Sequence, residues 1–154
     1  MQIVLPNSVL KKLRLHILKA GKREIGGMLM GEDLGEQAFR IVDFSVDVKR
    51  GTTSSFFRDS NEHDLALQRF YEKTGSDYKR FNYLGEWHTH PSFSVDPSIN
   101  DISAMQGIVN GGENVDFAFL FISKLRWFWL FECSAYLFIQ GHKPIQVEVI
   151  IEEK

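Results

Sequence analysis

Two histidines separated by a single residue are the feature of this sequence most indicative of chemistry. His88 and His90 lie in the segment GEWHTHPS, directly after an apolar run and directly before Pro91. Because side chains alternate between the two faces of a β-strand, both imidazoles point to one face if this segment is extended. Two imidazole nitrogens on one face can supply two ligands to a zinc ion.

A serine and an aspartate follow the histidines at a helical spacing. Ser98 opens a predicted helix, and Asp101 lies three residues further on, so both share a face at the helix N-terminus. A carboxylate at this place could complete a His, His, Asp ligand set. Three protein ligands leave a fourth position for water, which is the arrangement of a catalytic rather than a structural zinc site.

Glu24 is the candidate for the proton transfer that such a site requires. It leads into the apolar segment IGGMLMG, where a lone carboxylate can lose its hydration and acquire a raised pKa. Gly26 and Gly27 carry no side chains and permit close approach of another backbone or a ligand.

Each of these residues also has an ordinary structural explanation. A His-x-His pair often lies on a strand surface, and Ser98 with Asp101 resembles a helix-capping arrangement. Asp96 and Pro97 could equally form the cap and the first turn of that helix, and Glu24 could be a surface residue at a strand end. The functional interpretation depends on all of the positions taken together.

The elements that must position these residues follow from hydrophobic patterning and turn residues. Helices are predicted at residues 7–20, capped by Asn7 and ended by Gly21, and at 62–73 and 98–109. Strands are predicted at residues 1–5, 24–31, 39–46, 80–89, 115–123, 125–133, 135–140 and 145–151, with a hairpin turn at 33–36. The expected fold class is α/β (α+β), with a mixed, mostly antiparallel sheet flanked by helices.

Composition limits the class of protein. The chain has 154 residues with no internal repeat or linker, so one domain spanning 1–154 is expected. Its 18 basic and 20 acidic residues give a net charge of −2, which argues against nucleic acid as a partner. No apolar run is long enough to span a membrane, and no signal peptide is indicated. With Cys133 as the one cysteine, a reducing, cytoplasmic setting is expected.

The five candidate residues together resemble a known signature. Glu24, His88-x-His90, seven further residues and then Ser98-x-x-Asp101 match the motif of the JAMM, or MPN-plus, metalloproteases at every position. The segment GEWHTHPS is similar to that of short bacterial JAMM proteins, and the resemblance covers about residues 1–140. It implies an MPN, cytidine-deaminase-like fold.

The resemblance also implies a function for each residue. His88, His90 and Asp101 bind one zinc ion per chain, Glu24 acts as general base and then acid, and Ser98 helps to hold the oxyanion. Members of the family cut isopeptide or peptide bonds after the C-terminal glycine of ubiquitin-like proteins, whose tail adds as a strand beside the site. The loop at residues 50–60 resembles the insertion that holds the substrate.

One departure from the eukaryotic members narrows the expected role. Only the short segment NGGEN follows Val109 before the next strand, which leaves little space for the second insertion of linkage-specific enzymes. The compact form is more similar to bacterial members of ubiquitin-like conjugation operons, including those of antiphage defence, or to members that act on sulfur carriers. The sequence indicates no particular oligomeric state.

Three alternatives are weighed against this interpretation. RadC-type proteins share the HxHPS and Ser-x-x-Asp segments and are linked by name to DNA repair. A non-catalytic MPN scaffold would typically lack the metal ligands that are present here. A zinc deaminase needs Pro-Cys-x-x-Cys, which a chain with Cys133 alone does not contain.

Overall fold

A computed structural model of the chain describes residues 1–47, 60–111 and 114–153, with the side chains of residues 60–63 excepted. Strands and helices are interleaved along these residues, as predicted. The elements in chain order are β1 (Gln2–Pro6), α1 (Asn7–Ala20), β2 (Gly26–Gly35), β3 (Ala38–Phe44), α2 (Ser60–Lys73), β4 (Phe81–Thr89), α3 (Ile99–Asn110), β5 (Phe117–Arg126), β6 (Leu130–Ile139) and β7 (Ile145–Glu152).

The strands form one mixed sheet in the order β1-β3-β2-β4-β5-β6-β7, and β7 pairs with β1 to close it. The pairs β2–β3, β2–β4, β5–β6 and β6–β7 are antiparallel, whereas β1–β3, β1–β7 and β4–β5 are parallel. The predicted class, a mixed and mostly antiparallel sheet with helices, is confirmed. The closure of the sheet was not predicted from the sequence, because it depends on pairing of β1 with β7, the first and last strands along the chain.

The parallel pair β4–β5 matters most for the site. A parallel pair needs a crossover connection, and α3 provides it. The crossover places the N-terminus of α3 beside the end of β4. Met105 and Val109 of α3 are buried against Leu120 and Phe138, so apolar packing fixes the helix on the sheet.

The main core lies between the sheet and α1. It includes Leu13 of α1, Trp87 of β4 and Phe119 of β5, all of them fully buried. Most of the aromatic side chains of β5 and β6 are buried or partly buried. Trp127, Phe128 and Trp129, in the turn between these strands, are instead 64–82% exposed.

The prediction of separate strands at 125–133 and 135–140 is wrong. Strand β5 continues to Arg126, and a single strand, β6, covers Leu130–Ile139. The turn between them uses Trp127 and Phe128 with φ of 54° and 68°. Aromatic residues at positive φ give no recognisable turn signal, so the turn was assigned to a strand.

Two smaller boundaries also differ from the prediction. Asn7 is the first residue of α1 and not its cap; Pro6 occupies the cap position without a side-chain hydrogen bond. The first hairpin turns at Glu36 and Gln37, with φ of 51° and 62°, because β2 continues to Gly35. Gly21 ends α1 as predicted, with φ of 61°.

The predicted loop at residues 50–60 lies outside the described residues except for its last position, Ser60, which begins α2. Among the described residues, no helix is both long enough and apolar enough to cross a membrane.

Candidate metal centre

Strand β4 brings the two histidines together at its end. The main-chain N–H of His90 donates to Ser123 O at 3.0 Å, which keeps the chain extended beyond Thr89. Both imidazoles are buried on one face, and their Nε2 atoms lie 3.0 Å apart. Two ring nitrogens at this distance cannot both direct lone pairs at each other unless a proton or a cation lies between them. The pair is therefore suited to binding a cation.

Helix α3 supplies the carboxylate through its capping box. Ser98 is the N-cap: its Oγ accepts from Asp101 N at 3.1 Å, and its own main-chain N–H donates to Asp101 Oδ2 at 2.7 Å. The alternative cap at Asp96 and Pro97 is therefore wrong. The capping explanation and the ligand explanation are compatible, because the cap aims the Asp101 carboxylate at the histidines.

The three side chains converge with distances that fit a small cation. Asp101 Oδ1 lies 3.3 Å from His88 Nε2, and Asp101 Oδ2 lies 3.2 Å from His90 Nε2. Ligand bonds of 2.0–2.1 Å in a tetrahedral zinc site place the ligand atoms about 3.3–3.4 Å from one another. The two Nε2 atoms are slightly closer than this, at 3.0 Å, and each histidine faces a different oxygen of Asp101. One ligand atom from each of the three residues can be chosen so that all three lie within 4.8 Å of one another. This cluster of His88, His90 and Asp101 is compatible with metal binding.

The charges in the cluster stabilise one another. Burial alone would raise the pKa of Asp101, but hydrogen bonds with His88 and His90 outweigh it and hold that pKa well below its usual range. Burial likewise opposes protonation of His90, yet its contacts with Asp101 and Ser94 raise its pKa overall. The carboxylate therefore stays ionised and available to a cation.

Glu24 lies beside this cluster, in the segment just before β2. It is only 6% exposed, and its Oε2 has no hydrogen-bond partner among the described residues. Burial raises its pKa, His88 and His90 act in the opposite direction, and Asp101 adds to the rise. The predicted combination of burial and a raised pKa is present.

Thr89 holds the Glu24 segment in place, and sequence reasoning missed it. Its Oγ1 accepts from Ile25 N at 3.0 Å, and its main-chain N–H donates to Ile25 O at 2.9 Å. The sequence signal for this contact was a polar residue, Thr89, that faces the interior between the two histidines.

The position after Ile25 requires glycine, because a Cβ on Gly26 would lie 2.2 Å from Trp87 O. The prediction that Gly26 allows close backbone approach is thus confirmed.

Cys133 is not suited to nucleophilic chemistry. Burial raises the pKa of its thiol to about 11, so the thiol stays protonated at neutral pH.

The closed mixed sheet and this His, His, Asp cluster define the class, and the chain belongs to the prokaryotic homologs of the JAB domain, the JAMM-type family. The family matches residues 6–141. A relative from Enterobacter hormaechei subsp. hoffmannii (strain UCI 50), named CD-NTase/cGAS isopeptidase, is 30% identical over 110 residues. That alignment covers 69% of this chain and 57% of the relative, so the chain matches little more than half of the relative's length.

The fold has a counterpart among solved structures. A solution structure of a protein from Desulfitobacterium hafniense superposes with a TM-score of 0.71 at 18% identity. The match covers 99% of this chain and 94% of that protein. The architecture described above is therefore shared with a chain of similar extent.

Proposed function

We propose that this chain is a zinc-dependent hydrolase, folded as one JAMM domain over residues 1–154, that cuts an amide bond after the tail of a ubiquitin-like protein. The observation that carries the proposal is the position of Glu24 beside the converging His88, His90 and Asp101. Glu24 is buried, and its Oε2 receives no hydrogen bond from the part of the chain that the structure describes. Membership of the JAB family supports the same reaction class.

His88, His90 and Asp101 are the proposed ligands of one zinc ion per chain. Their donor set of two imidazoles and one carboxylate is typical of catalytic zinc, which has three protein ligands. When bound, zinc would polarise the scissile carbonyl and lower the pKa of a coordinated water to about 7.

Glu24 is the proposed proton carrier. Its carboxylate takes a proton from the attacking water as the water oxygen bonds to the carbonyl carbon. The same group then returns a proton to the leaving amine nitrogen as the C–N bond breaks, so the carboxylate is regenerated. A buried carboxyl with a raised pKa can carry out both transfers near neutral pH.

Ser98 is the proposed donor to the oxyanion. Its Oγ accepts a hydrogen bond from Asp101 N, so the hydroxyl hydrogen is not used in that bond and can donate to a substrate oxygen. The capping box fixes the hydroxyl at a helix N-terminus, where the helix dipole also favours negative charge. Such a preorganised donor stabilises charge that develops on the carbonyl oxygen.

The proposed substrate is a ubiquitin-like protein joined through its C-terminal glycine to an amine. The relative named CD-NTase/cGAS isopeptidase supports this bond type. A bacterial ubiquitin-like conjugation system, including one of antiphage defence, is the proposed setting. A cytoplasmic setting is part of the proposal. The alignment covers only 57% of that relative, so the relative's activity as a whole protein is not transferred. The proposal concerns the reaction of this domain.

Two probes with the same ubiquitin-like protein test the function. One is a linear fusion to a reporter after the terminal glycine, and the other is the same tail joined to a lysine side chain. We expect cleavage that a chelator abolishes and added zinc restores. A fusion with the two terminal residues of the tail changed to bulky ones is the control. Cleavage that continues in the chelator, or equal cleavage of the control, would contradict the proposal.

A further inference from the structure

The loop at residues 91–98, which connects β4 to α3, makes a contact that determines the state of His90. His90 Nδ1 lies 2.8 Å from Ser94 O. A carbonyl oxygen can only accept, so Nδ1 must carry the hydrogen. In a neutral imidazole the other nitrogen, Nε2, then has its lone pair free. Nε2 is the atom that faces His88 and Asp101.

Asp96 holds Ser94 from within the same loop. Ser94 Oγ donates to Asp96 Oδ2 at 3.0 Å, and Asp96 N donates to Ser94 Oγ at 3.4 Å. These two bonds fix the residue whose carbonyl receives the His90 hydrogen. The other carboxylate oxygen, Oδ1, points toward the sheet.

Strand β6 anchors Asp96 from the opposite side. Tyr136 OH donates to Asp96 Oδ1 at 3.2 Å, so the carboxylate joins the loop to the sheet. Two residues earlier in the strand, Ser134 Oγ donates to Val95 O. A continuous chain of contacts thus runs from Tyr136 through Asp96 and Ser94 to the imidazole of His90.

We propose that Asp96 is a positioning residue for the metal centre, which sets the ring orientation and tautomer of His90 through Ser94. The inference rests on the metal site of the proposed function. A partner that receives the second ring hydrogen of a metal-binding histidine fixes its tautomer, and losing such a partner typically weakens metal binding. Asp96 acts one step further out, by holding that partner in place.

The local structure separates this role from a merely structural one. Ser98, and not Asp96, caps α3. The loop also has a contact with the sheet, from Ser134 Oγ to Val95 O, that does not involve the Asp96 side chain. Loss of the Asp96 carboxylate is therefore expected to change the position of Ser94 O while leaving the helix start and the sheet intact.

The test compares Asp96→Ala, Asp96→Asn and a control, Asp116→Ala, which removes an exposed carboxylate immediately before β5. Zinc affinity is measured by competition with a chromophoric chelator, and the cobalt form is followed by its visible spectrum. We expect Asp96→Ala to weaken zinc binding about tenfold, the lower end of the loss for a direct partner of a metal ligand, and to alter the cobalt spectrum. Asp96→Asn should recover most of the affinity, because an amide can accept from one hydroxyl and donate to the other. Asp116→Ala should bind as the wild type does.

A second readout needs no metal. Imidazole nitrogen and carbon chemical shifts of His90 are recorded in the metal-free protein at alkaline pH, where the ring is neutral. The wild type should show the tautomer with hydrogen on Nδ1, and Asp96→Ala should populate the other. A tautomer that is unchanged in Asp96→Ala, or zinc affinity equal to that of the wild type, overturns the inference. If the wild type binds no zinc, the proposed function fails, while the tautomer still decides the role of Asp96.

Discussion

Replacing Glu24 with glutamine separates metal binding from proton transfer. The amide has nearly the same shape as the carboxylate, and Glu24 Oε2 has no hydrogen-bond partner among the described residues that the change could remove. The substitution therefore keeps the size of the side chain and removes no hydrogen bond of Oε2. It removes the capacity to accept and return a proton. Because Glu24 is not among the proposed ligands, the zinc should stay.

The expected loss of activity follows from the role that is removed. A positioned general acid–base group contributes roughly 10²–10⁴-fold, so kcat/KM of Glu24→Gln should fall by that factor, which is about 2.7–5.5 kcal/mol of transition-state stabilisation. The free energy of unfolding should not decrease at neutral pH, because the amide replaces a carboxylate whose burial raises its pKa.

The assay is cleavage of the lysine-linked probe, with zinc content and thermal unfolding measured on the same samples. Activity within tenfold of the wild type would refute the role of Glu24 as proton carrier. A loss of zinc together with activity would show that Glu24 holds the metal, contrary to the assignment.

Three further predictions concern the surroundings of the site. Thr89→Val leaves a buried main-chain N–H without its acceptor and should lower the free energy of unfolding by about 1–3 kcal/mol; chemical denaturation should show a smaller loss for Thr74→Val, whose hydroxyl only donates to a helix carbonyl. Gly26→Ala forces a Cβ to 2.2 Å from a carbonyl oxygen, so it should destabilise the protein and weaken zinc binding. Its control, Gly107→Ala, adds a methyl group where no atom lies within 4 Å. This control should leave zinc binding unchanged and should keep or raise the stability. In the metal-free protein, the raised pKa of Glu24 favours folding at acid pH. The stability of the wild type relative to Glu24→Gln should therefore decrease as pH rises through that pKa, and a difference that is independent of pH would contradict the raised pKa.

The sequence was sufficient for the parts of the site that depend on local periodicity. His88 and His90 share a face because strands have a period of two, and Ser98 and Asp101 share one because helices bring positions i and i+3 together. Their convergence could not be derived from either pattern alone. It depends on the crossover through α3, which places a helix start beside a strand end.

The missed features are those that depend on contacts between distant segments. Thr89 contacts Ile25, which is 64 residues away in sequence, and no local pattern indicates such a bond. The Asp96 contact with Tyr136 spans 40 residues and depends on how β6 lies against the loop. The turn at Trp127 was missed for a different reason, since aromatic residues there favour a strand and occupy positive φ only because the hairpin requires it.

The zinc-to-protein ratio of the purified chain tests the central claim most directly. It should be measured after reconstitution and dialysis for the wild type, His88→Ala and a matched control, His142→Ala, which changes an exposed histidine in the turn before β7. We expect about one zinc per chain in the wild type and in the control, and none in His88→Ala. A wild type that retains no zinc, or a His88→Ala variant that retains as much as the control, would contradict it.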